Sequence, residues 1–554
     1  MITSEFRPWL KNYPQGVPAN INPDAYPNLT VLLNDTFKKF RMRPAFSCMG
    51  KELTFDEIDR YSNQLAAYFH SRGLEPGDKI ALMMPNLLQY PIALFAALRA
   101  GLVIVNTNPL YTTREMKHQF VDSGAKAIII AENFAANLES ILTETPIKIV
   151  LVTSIGEMLG LKGKVVDFMV RNVKKMVPKY HLPNVVTVKE GIEVGKKFSI
   201  KPFKIKPEDI VALQYTGGTT GVSKGAMLTH RNLVANMMQM RALMMPSVKE
   251  GEEICLSPLP LYHIFAFTVN CLGFFSIGGL NVLVTNARDL PSVMKEFKSH
   301  KITAMTGVNT LFNALLNHAD FANLDFSGLK ITVGGGTAVQ RAVAEKWRKV
   351  TKCALAEGFG MTETSPCASC NPFDGTGKLN SIGMPLPSTD MRIVDEDGST
   401  PLATGSTGEI QVKGPQVMKG YYNLPDETTN VLKDGWLSTG DIGLMDKDGY
   451  FKIVDRKKDM ILVSGFNVYP NEIEDVMALH PKVLESAAVG VVDEKSGEVP
   501  KIFVVRKDKS LTEKEVIEHC KANLTGYKVP KFVEFRDDLP KTNVGKILRR
   551  ELRS

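Results

Sequence analysis

The 554-residue sequence lacks the cysteine pattern of a secreted or a zinc-binding protein. Its seven cysteines are odd in number and scattered along the chain. Scattered cysteines are typical of proteins in reducing compartments, where disulfides rarely form. Cys367 and Cys370 form one CxxC pair, but no second pair or histidines follow at zinc-site spacing. We therefore expect neither a disulfide framework nor a structural zinc site.

The sequence also lacks a clean apolar segment for secretion or membrane crossing. The first 14 residues carry charges and prolines and contain no hydrophobic stretch of a signal peptide. Residues 262–287 contain no Asp, Glu, Lys or Arg and are long enough to span a bilayer, but glycines and asparagines interrupt them. We expect a buried helix there, then a buried strand at residues 282–284, and a cytoplasmic protein.

Charge of one sign is only in slight excess, with a net charge of +8 at pH 7. This excess favours polyanionic partners such as nucleotides, coenzyme A or acidic membrane surfaces. Basic residues are neither gathered in one arm nor interleaved with aromatic residues, so we expect no nucleic-acid partner. Hydrophobic residues make up 44% and charged residues 23%, which fits a globular protein.

The order of strand-like and helix-like runs predicts an α/β fold followed by an α+β unit. Strands alternate with helices up to about residue 378, which indicates parallel sheets covered by helices. We predict a large N-terminal domain of two such sheets plus a β-rich subdomain, residues 1–455, divided at about 1–206, 207–378 and 379–455. Residues 456–554 then form a small C-terminal α+β domain.

The most informative feature present is a glycine- and hydroxyl-rich stretch, YTGGTTGVSKGAMLTHR, at residues 215–231. Glycines let backbone N–H groups approach an anion, and hydroxyls and a lysine add donors and positive charge. An apolar run precedes it and a helix-like run follows, so we predict strand, loop and helix around a phosphate site. A Walker loop is excluded because Ser223 and Gly225 break that pattern. The candidates are Thr216, Gly217, Gly218, Thr219, Thr220, Gly221 and Lys224.

Several other motifs carry polar groups suited to chemistry, although each has an ordinary structural alternative. His263 lies in PLPLYHIFAF, and a lone histidine there could equally be a core residue. VGGGTA, residues 333–338, leaves room for a ring or an alkyl chain, or forms a simple turn. In EGFGMTETSP, the Phe359 ring offers a face to adenine and Glu363 offers oxygen ligands to Mg²⁺. Asp441, in WLSTGD, can accept from ribose hydroxyls or cap a turn.

The motifs, taken together and in order, resemble the adenylate-forming superfamily of acyl-CoA synthetases, firefly luciferases and peptide-synthetase adenylation domains. The resemblance covers most of residues 30–550, and residues 435–470 are especially similar to bacterial long-chain fatty-acid–CoA ligases. Asp455 departs from the more widespread glycine before Arg456, although the long-chain ligases share it. The resemblance implies that ATP and a fatty acid form an acyl-adenylate, with Mg²⁺, and that coenzyme A then takes the acyl group.

The resemblance also implies roles for particular residues. It makes Lys546, His263 and Arg456 catalytic, Glu363 the metal ligand and Lys458 the hinge of a mobile C-terminal domain. It places coenzyme A near Gly465 and Asn467, and the acyl chain near His263, Phe267, Gly335 and Gly360. Further nucleotide-binding residues are Gly334, Glu357, Gly358, Phe359, Gly360, Thr362, Asp441, Ile453, Arg456 and Lys546.

Three points stay open in the sequence. Residues 161–180 carry six basic residues, one acid and several apolar residues, so a helix there fits the inner membrane surface or packs on the protein body. A homodimer is compatible with the resemblance. Alternative functions are a medium-chain or aryl-CoA ligase, a fatty-acyl-AMP ligase, or a non-catalytic lipid-binding protein on the same fold.

Overall fold

The computed structural model describes residues 7–216, 223–395, 397–464, 466–493, 496–542 and 545–553. Within these ranges the strands form four sheets, two large ones in the N-terminal part, one in the β-rich subdomain and one in the C-terminal domain. The predicted fold class is therefore confirmed. The predicted site residues Gly217, Gly218, Thr219, Thr220, Gly221 and Gly465 lie outside the described residues.

The elements up to residue 195 alternate as predicted. The strands are β1 (Pro44–Cys48), β2 (Lys51–Thr54), β3 (Lys79–Met83), β4 (Val103–Asn106), β5 (Ala125–Ala131), β6 (Ile149–Thr153) and β7 (Val186–Thr187). The helices are α1 (Leu29–Lys39), α2 (Phe55–Ser71), α3 (Gln89–Arg99), α4 (Thr113–Ser123), α5 (Ala135–Glu139), α6 (Leu161–Phe168) and α7 (Val188–Gly195).

The next segment continues the alternation to residue 385. Its strands are β8 (Ile210–Thr216), β9 (Lys224–Thr229), β10 (Ile254–Ser257), β11 (Leu280–Leu283), β12 (Ala304–Gly307), β13 (Ile331–Gly334), β14 (Leu355–Gly360), β15 (Cys367–Cys370) and β16 (Met384–Pro385). Its helices are α8 (His230–Met244), α9 (Leu290–Ser299), α10 (Asn309–Leu316) and α11 (Arg341–Thr351).

The β-rich subdomain and the C-terminal domain follow. The former has β17 (Asp390–Val394), β18 (Gly408–Lys413), β19 (Gly420–Tyr421), β20 (Leu432–Lys433), β21 (Trp436–Met445), β22 (Phe451–Arg456) and helix α12 (Pro425–Val431). The latter has β23 (Ile461–Val463), β24 (Phe466–Val468), β25 (Val483–Asp493), β26 (Gly497–Arg506), β27 (Phe532–Arg536) and helices α13 (Pro470–Ala478) and α14 (Glu513–Asn523).

Each of the two large sheets includes strands from distant parts of the chain. One has the order β19-β9-β8-β4-β3-β5-β6-β7, and the other β16-β15-β14-β13-β12-β10-β11-β1-β2. Strands β8 and β9 thus complete the first sheet, although we placed them in the second subdomain, while β1 and β2 join the second sheet. The predicted boundary near residue 206 does not divide the sheets, because strand pairing joins segments far apart in sequence.

The apolar segment at residues 262–287 lies inside the protein, as predicted. A π-helical stretch, Ala266–Phe274, is buried throughout, and β11 follows it as a buried strand that begins two residues earlier than expected. A π-helical turn is a local widening of an α-helix that often occurs near functional sites. Among the described residues, none of the helices combines the length and hydrophobicity that a bilayer span requires.

The C-terminal domain has its own hydrophobic cores and docks against α10. One core includes Ile461, Ile473 and Ile502. Three hydrogen bonds join the domain to the α10 region: Thr310 Oγ1 donates to the Gly545 carbonyl at 3.1 Å, Asn313 Nδ2 to the Leu484 carbonyl at 2.9 Å, and Lys507 Nζ to Asn317 Oδ1 at 2.8 Å. These contacts fix one orientation of the small domain over the large one.

Candidate active site

The two ends of the glycine-rich loop face each other across a β-hairpin. Thr216 ends β8, Lys224 begins β9, and the two residues are direct partners in antiparallel pairing. The predicted strand–loop–helix arrangement is therefore wrong, because a strand separates the loop from α8. The helix begins only at His230, after the whole of β9, so it does not directly follow the loop. Any anion bound here would depend on loop N–H groups, hydroxyls and Lys224.

Lys224 already has a carboxylate partner. Its ammonium group pairs with Glu427 on α12, and its Nζ lies 5.4 Å from the centroid of the Tyr421 ring. Strand β19, which carries Tyr421, pairs with β9 and so brings this ring beside the hairpin. A nucleotide phosphate could replace the Glu427 carboxylate, because both are anionic acceptors for a lysine.

Tyr421 connects this lysine to the predicted metal ligand. Its hydroxyl donates to Glu363 Oε1 at 2.7 Å, and Glu363 lies in a short 3₁₀ turn, Thr362–Thr364, directly after β14. Burial raises the pKa of the Glu363 carboxyl above its ordinary value. A bound cation would offset that effect, so one buried carboxylate fits Mg²⁺ whose other ligands are phosphate oxygens and water.

Three of the predicted nucleotide and catalytic residues meet beside β21 and β22. Arg456 Nε lies 3.2 Å from Asp441 Oδ1, and the two residues are register partners in these strands. Asp441 is almost fully buried, and burial raises the pKa of its carboxyl. The charge of Lys546 acts on this carboxyl together with that of Arg456. A cavity of about 350 Å³ opens here, lined by Thr439, Gly440, Arg456, Lys457 and Lys458.

Lys546 is half-buried in this cluster although it belongs to the C-terminal domain. Burial, together with the charges of Arg456, Lys458 and Arg549, lowers the pKa of its ammonium group to about 7. The turn that carries it is held by Thr542, whose hydroxyl accepts from the Lys546 N–H at 3.1 Å. An anionic substrate would relieve the charge repulsion around this lysine.

The imidazole of His263 faces the same region from the large domain. Burial, followed by the charge of Lys546, lowers the pKa of His263 to about 4. Its Nδ1 accepts from the Phe265 N–H at 3.3 Å, so this nitrogen carries no proton and Nε2 is the donor of the neutral ring. A neutral donor beside Lys546 suits a carboxyl or acyl-phosphate oxygen better than a second cation would.

Phe265, rather than the predicted Phe267, is the aromatic residue next to the predicted acyl residue Gly335. Phe267 is fully buried in the core, whereas Phe265 approaches the glycine triplet after β13. A Cβ added to Gly335 would lie 3.2 Å from the Phe265 ring and 3.1 Å from the Gly358 carbonyl oxygen. Glycine at this position therefore keeps open a narrow space between Phe265 and β14. A Cβ at Gly334 would lie 2.6 Å from Val339, so that glycine serves packing.

Strand β14 supplies backbone more than side chains. The Phe359 ring is buried in a cluster with Trp9, Ile382 and Phe451, so its predicted stacking on adenine does not fit. Glu357 accepts from the Val339 N–H at 3.1 Å, and burial raises its pKa to about 8. Ile453, on β22, packs against the same cluster as Phe359. A Cβ at Gly360 would lie 1.9 Å from the Pro366 carbonyl oxygen, so the fold itself requires that glycine.

The predicted coenzyme A residue Asn467 and the predicted hinge residue Lys458 both lie in the C-terminal part of the chain. Asn467 lies in β24, opposite Leu462 of β23, and is exposed at the edge of the C-terminal sheet. Lys458 lies just after β22, and burial lowers its pKa to about 8. In the described parts of the chain, no group of three or more His, Cys, Asp or Glu side chains could hold a metal.

Comparison with known proteins identifies the family. Residues 33–422 match the AMP-binding enzyme profile, and residues 472–546 match the AMP-binding enzyme C-terminal domain. The chain belongs to the AMP-binding enzyme family. The long-chain-fatty-acid–CoA ligase of Yersinia pestis is 55% identical over 548 residues, which cover 98% of this chain and 97% of that protein.

Two solved structures of one protein are similar to this chain over nearly its whole length. ATP-bound MatB from Rhodopseudomonas palustris matches with a TM-score of 0.81 at 26% identity, over 95% of this chain and 98% of that one. Apo MatB from the same organism has a TM-score of 0.71 at 27% identity over the same shares, 95% and 98%. The structure as a whole is therefore more similar to the ATP-bound form of that protein.

Three residues around the site escaped the sequence reasoning: Phe265, Tyr421 and Glu427. Phe265 lies two residues before the predicted acyl residue Phe267, in the same aromatic motif. Tyr421 and Glu427 lie about 200 residues beyond the loop, in KGYYNLPDETT, and only the pairing of β19 with β9 brings them there. Short-range patterns carry no signal for that pairing.

Proposed function

We propose that this enzyme joins long-chain fatty acids to coenzyme A through an acyl-adenylate formed from ATP. The observation that carries this proposal is the meeting of Lys546 with Asp441, Arg456 and His263 in one cleft. The likeness to long-chain ligases over nearly the whole chain supports the acyl class. The magnesium ion, the hinge and the residue roles below belong to the same proposal.

In the first half-reaction a fatty carboxylate oxygen attacks the α-phosphorus of ATP. The bond from that phosphorus to the bridging oxygen breaks, and pyrophosphate leaves. Lys546, Thr216 and Lys224 stabilise the negative charge on the phosphoryl oxygens, and Asp441 orients the ribose. Glu363 would hold Mg²⁺, and the bound ion would neutralise phosphate charge. The neutral His263 ring donates toward the carboxylate.

In the second half-reaction the sulfur of coenzyme A attacks the acyl carbon. The carbon–oxygen bond to AMP breaks, AMP leaves with that oxygen, and the thiol proton passes to solvent. Lys546 must withdraw for the thiol to enter, so the C-terminal domain rotates about Lys458. That rotation would bring the exposed β23–β24 hairpin, with Gly465 and Asn467, to the cleft in its place.

The test is pyrophosphate release measured with acids of increasing chain length and with an aryl acid, each with and without coenzyme A. We expect release with palmitate or oleate to exceed that with octanoate or benzoate, and a thioester to form when the thiol is present. A preference for octanoate or benzoate would favour the medium-chain or aryl alternative. Adenylate without thioester would indicate an acyl-AMP ligase, and no release with any acid would refute the proposal.

A second proposal concerns residues 161–180, which we call the basic segment. Helix α6 and a π-helical turn, Met169–Val173, form it, so the helix is shorter than predicted. Asp167 accepts from Ser154 Oγ and from the Gly156 N–H, each at 2.7 Å, and Arg171 pairs with Glu132. These contacts anchor one face. The other face exposes Leu161, Val165, Phe168, Met169, Val173 and Met176.

We propose that this exposed face rests on anionic lipid, because apolar residues beside lysines suit a bilayer interface. Flotation with anionic vesicles should fall when Lys174 and Lys175 are both changed to Glu. The matched control changes Lys196 and Lys197, another exposed lysine pair, to Glu. Equal flotation of both variants would refute the proposal. If the change at Lys174 and Lys175 altered only the molecular mass of the protein in solution, the segment would instead be a homodimer contact.

A further inference from the structure

Asp455 is a fully buried carboxylate that the proposed chemistry does not use. It precedes Arg456 in β22, and neighbouring residues of a strand point to opposite faces. Arg456 therefore faces Asp441 and the cleft, while Asp455 faces the C-terminal domain. Isolated carboxylates are rarely buried, so its partners define its role.

The partners of Asp455 lie mainly across the domain junction. Its Oδ2 accepts from the Asn471 N–H at 2.9 Å, at the first turn of α13, where an anion is favoured by the free N–H groups. Its Oδ1 accepts from its neighbour's N–H, that of Arg456, at 2.7 Å and lies 3.7 Å from Arg549 Nη1. One carboxylate thus connects the last strand of the large domain to a helix and an arginine of the small one.

Arg549 lies three residues after Lys546, so the contact bears on the position of the active-site lysine. Within its own side of the junction Arg549 also contacts Asn471 at 2.6 Å, Glu474 at 2.8 Å and Asp459 at 3.5 Å. Rotation about Lys458 would leave those contacts intact. It would separate Asp455 from Asn471 and Arg549, because Asp455 precedes Lys458 and both partners follow it.

We propose that Asp455 is a positioning residue that holds the C-terminal domain in the orientation that places Lys546 in the cleft. It therefore supports adenylation and not thioester formation, an assignment that rests on the proposed function. The contact differs from the α10 contacts in being charged, buried and next to the hinge. Rotation would remove the Asn471 and Arg549 partners of this carboxylate, which favours return to this orientation.

The first test compares the two half-reactions in Asp455→Asn and in the matched control Asp459→Asn. Asp459 contacts the same arginine and also Arg553, at 2.9 Å, but from the C-terminal side of the hinge. We expect Asp455→Asn to slow pyrophosphate release about tenfold, since a hydrogen bond to a buried charge is lost, and to leave thioester formation from supplied acyl-adenylate unchanged. Asp459→Asn should change neither half. Equal loss of both halves in Asp455→Asn would overturn the assignment.

The second test measures orientation without turnover. Asn317 and Lys507 are exposed and 2.8 Å apart across the junction, and all seven native cysteines are buried. Two dyes on Asn317→Cys and Lys507→Cys form an orientation reporter by energy transfer. We expect Asp455→Asn to lower the transfer and Asp459→Asn to keep it; equal transfer would overturn the proposal.

The reporter also separates the two proposals. A wild-type enzyme that releases no pyrophosphate would refute the proposed function, while the dyes would still decide the role of Asp455. Thermal unfolding identifies any variant that fails to fold. Should Asp455→Asn do so, Asp455→Ser provides the same comparison.

Discussion

Asp441 and Arg456 are direct partners in β21 and β22, with the guanidinium nitrogen 3.2 Å from the carboxylate oxygen. Both residues lie in paired strands, which hold the two side chains opposite each other. We predict that Asp441→Asn raises KM for ATP about tenfold or more, because a buried charged acceptor is lost. Steady-state kinetics with Asp446→Asn, a half-buried acid in the turn of the same hairpin, provide the comparison. An unchanged KM would contradict a ribose-binding role.

Lys546 provides the sharpest separation of the half-reactions. We predict that Lys546→Ala lowers pyrophosphate release at least a hundredfold, about the loss on removing one donor of a developing anion. Thioester formation from supplied acyl-adenylate should stay near wild type, because the lysine withdraws for that step. Rapid-quench measurements of the two half-reactions test this prediction. Lys541→Ala, which removes a neighbouring lysine paired with Glu485, is the control. Equal loss in both halves would exclude the assigned role.

Tyr421 should affect the response to Mg²⁺ rather than the affinity for the acid. Its hydroxyl holds Glu363 Oε1 at 2.7 Å. Mutation of a group that orients a metal ligand typically lowers metal affinity about 10–100-fold. We predict that Tyr421→Phe raises the Mg²⁺ concentration for half-maximal pyrophosphate release by about tenfold. Tyr422→Phe, at the adjacent residue, should not. A parallel Mg²⁺ response in the two variants would remove Tyr421 from the metal site.

The hinge prediction depends on backbone freedom at Lys458. Proline fixes φ near −65° and so limits the rotation between two domain orientations. We predict that Lys458→Pro slows overall thioester synthesis more than it slows either half-reaction measured alone. Lys457→Pro tests whether the effect is specific to one position. Overall turnover equal to wild type would show that the chain does not pivot at Lys458.

The sequence predicted those parts of the site that a local motif encodes. Asp441 and Glu363 were predicted from short motifs and Arg456 from the family resemblance, and the alternation of strands and helices predicted the fold class. It failed where distant segments pair. Residues KGAMLT form strand β9 instead of the start of the expected helix, because they pair with β8 and β19. The pairing with β19 also places Tyr421 beside the site. Successive side chains of β14 point to opposite faces of the sheet. The Phe359 ring therefore points into the core, and Gly358 and Gly360 lie on the opposite face of the strand.

The pKa of Lys546 predicts how pH shifts the domain orientation. In the docked orientation that pKa is about 7, held down by burial, Arg456, Lys458 and Arg549 and raised by Asp441. An undocked, solvated lysine titrates near its ordinary value, about 10.4. The undocked state therefore binds more protons between these values, and raising the pH favours docking. Below about pH 7 Lys546 keeps its proton in both states, so this lysine contributes no pH dependence there.

The orientation reporter can measure this dependence in the absence of ATP. We predict that energy transfer rises from pH 7 to pH 9 in the wild type, with the docking constant increasing up to about tenfold per pH unit for one proton released. Lys546→Met should flatten the rise; Lys458, with a pKa of about 8, leaves a smaller slope of the same sign. Saturating ATP should raise the lowered pKa of Lys546, because a nearby phosphate favours the charged form of the amine. A rise of equal size in Lys546→Met would assign the dependence to another group.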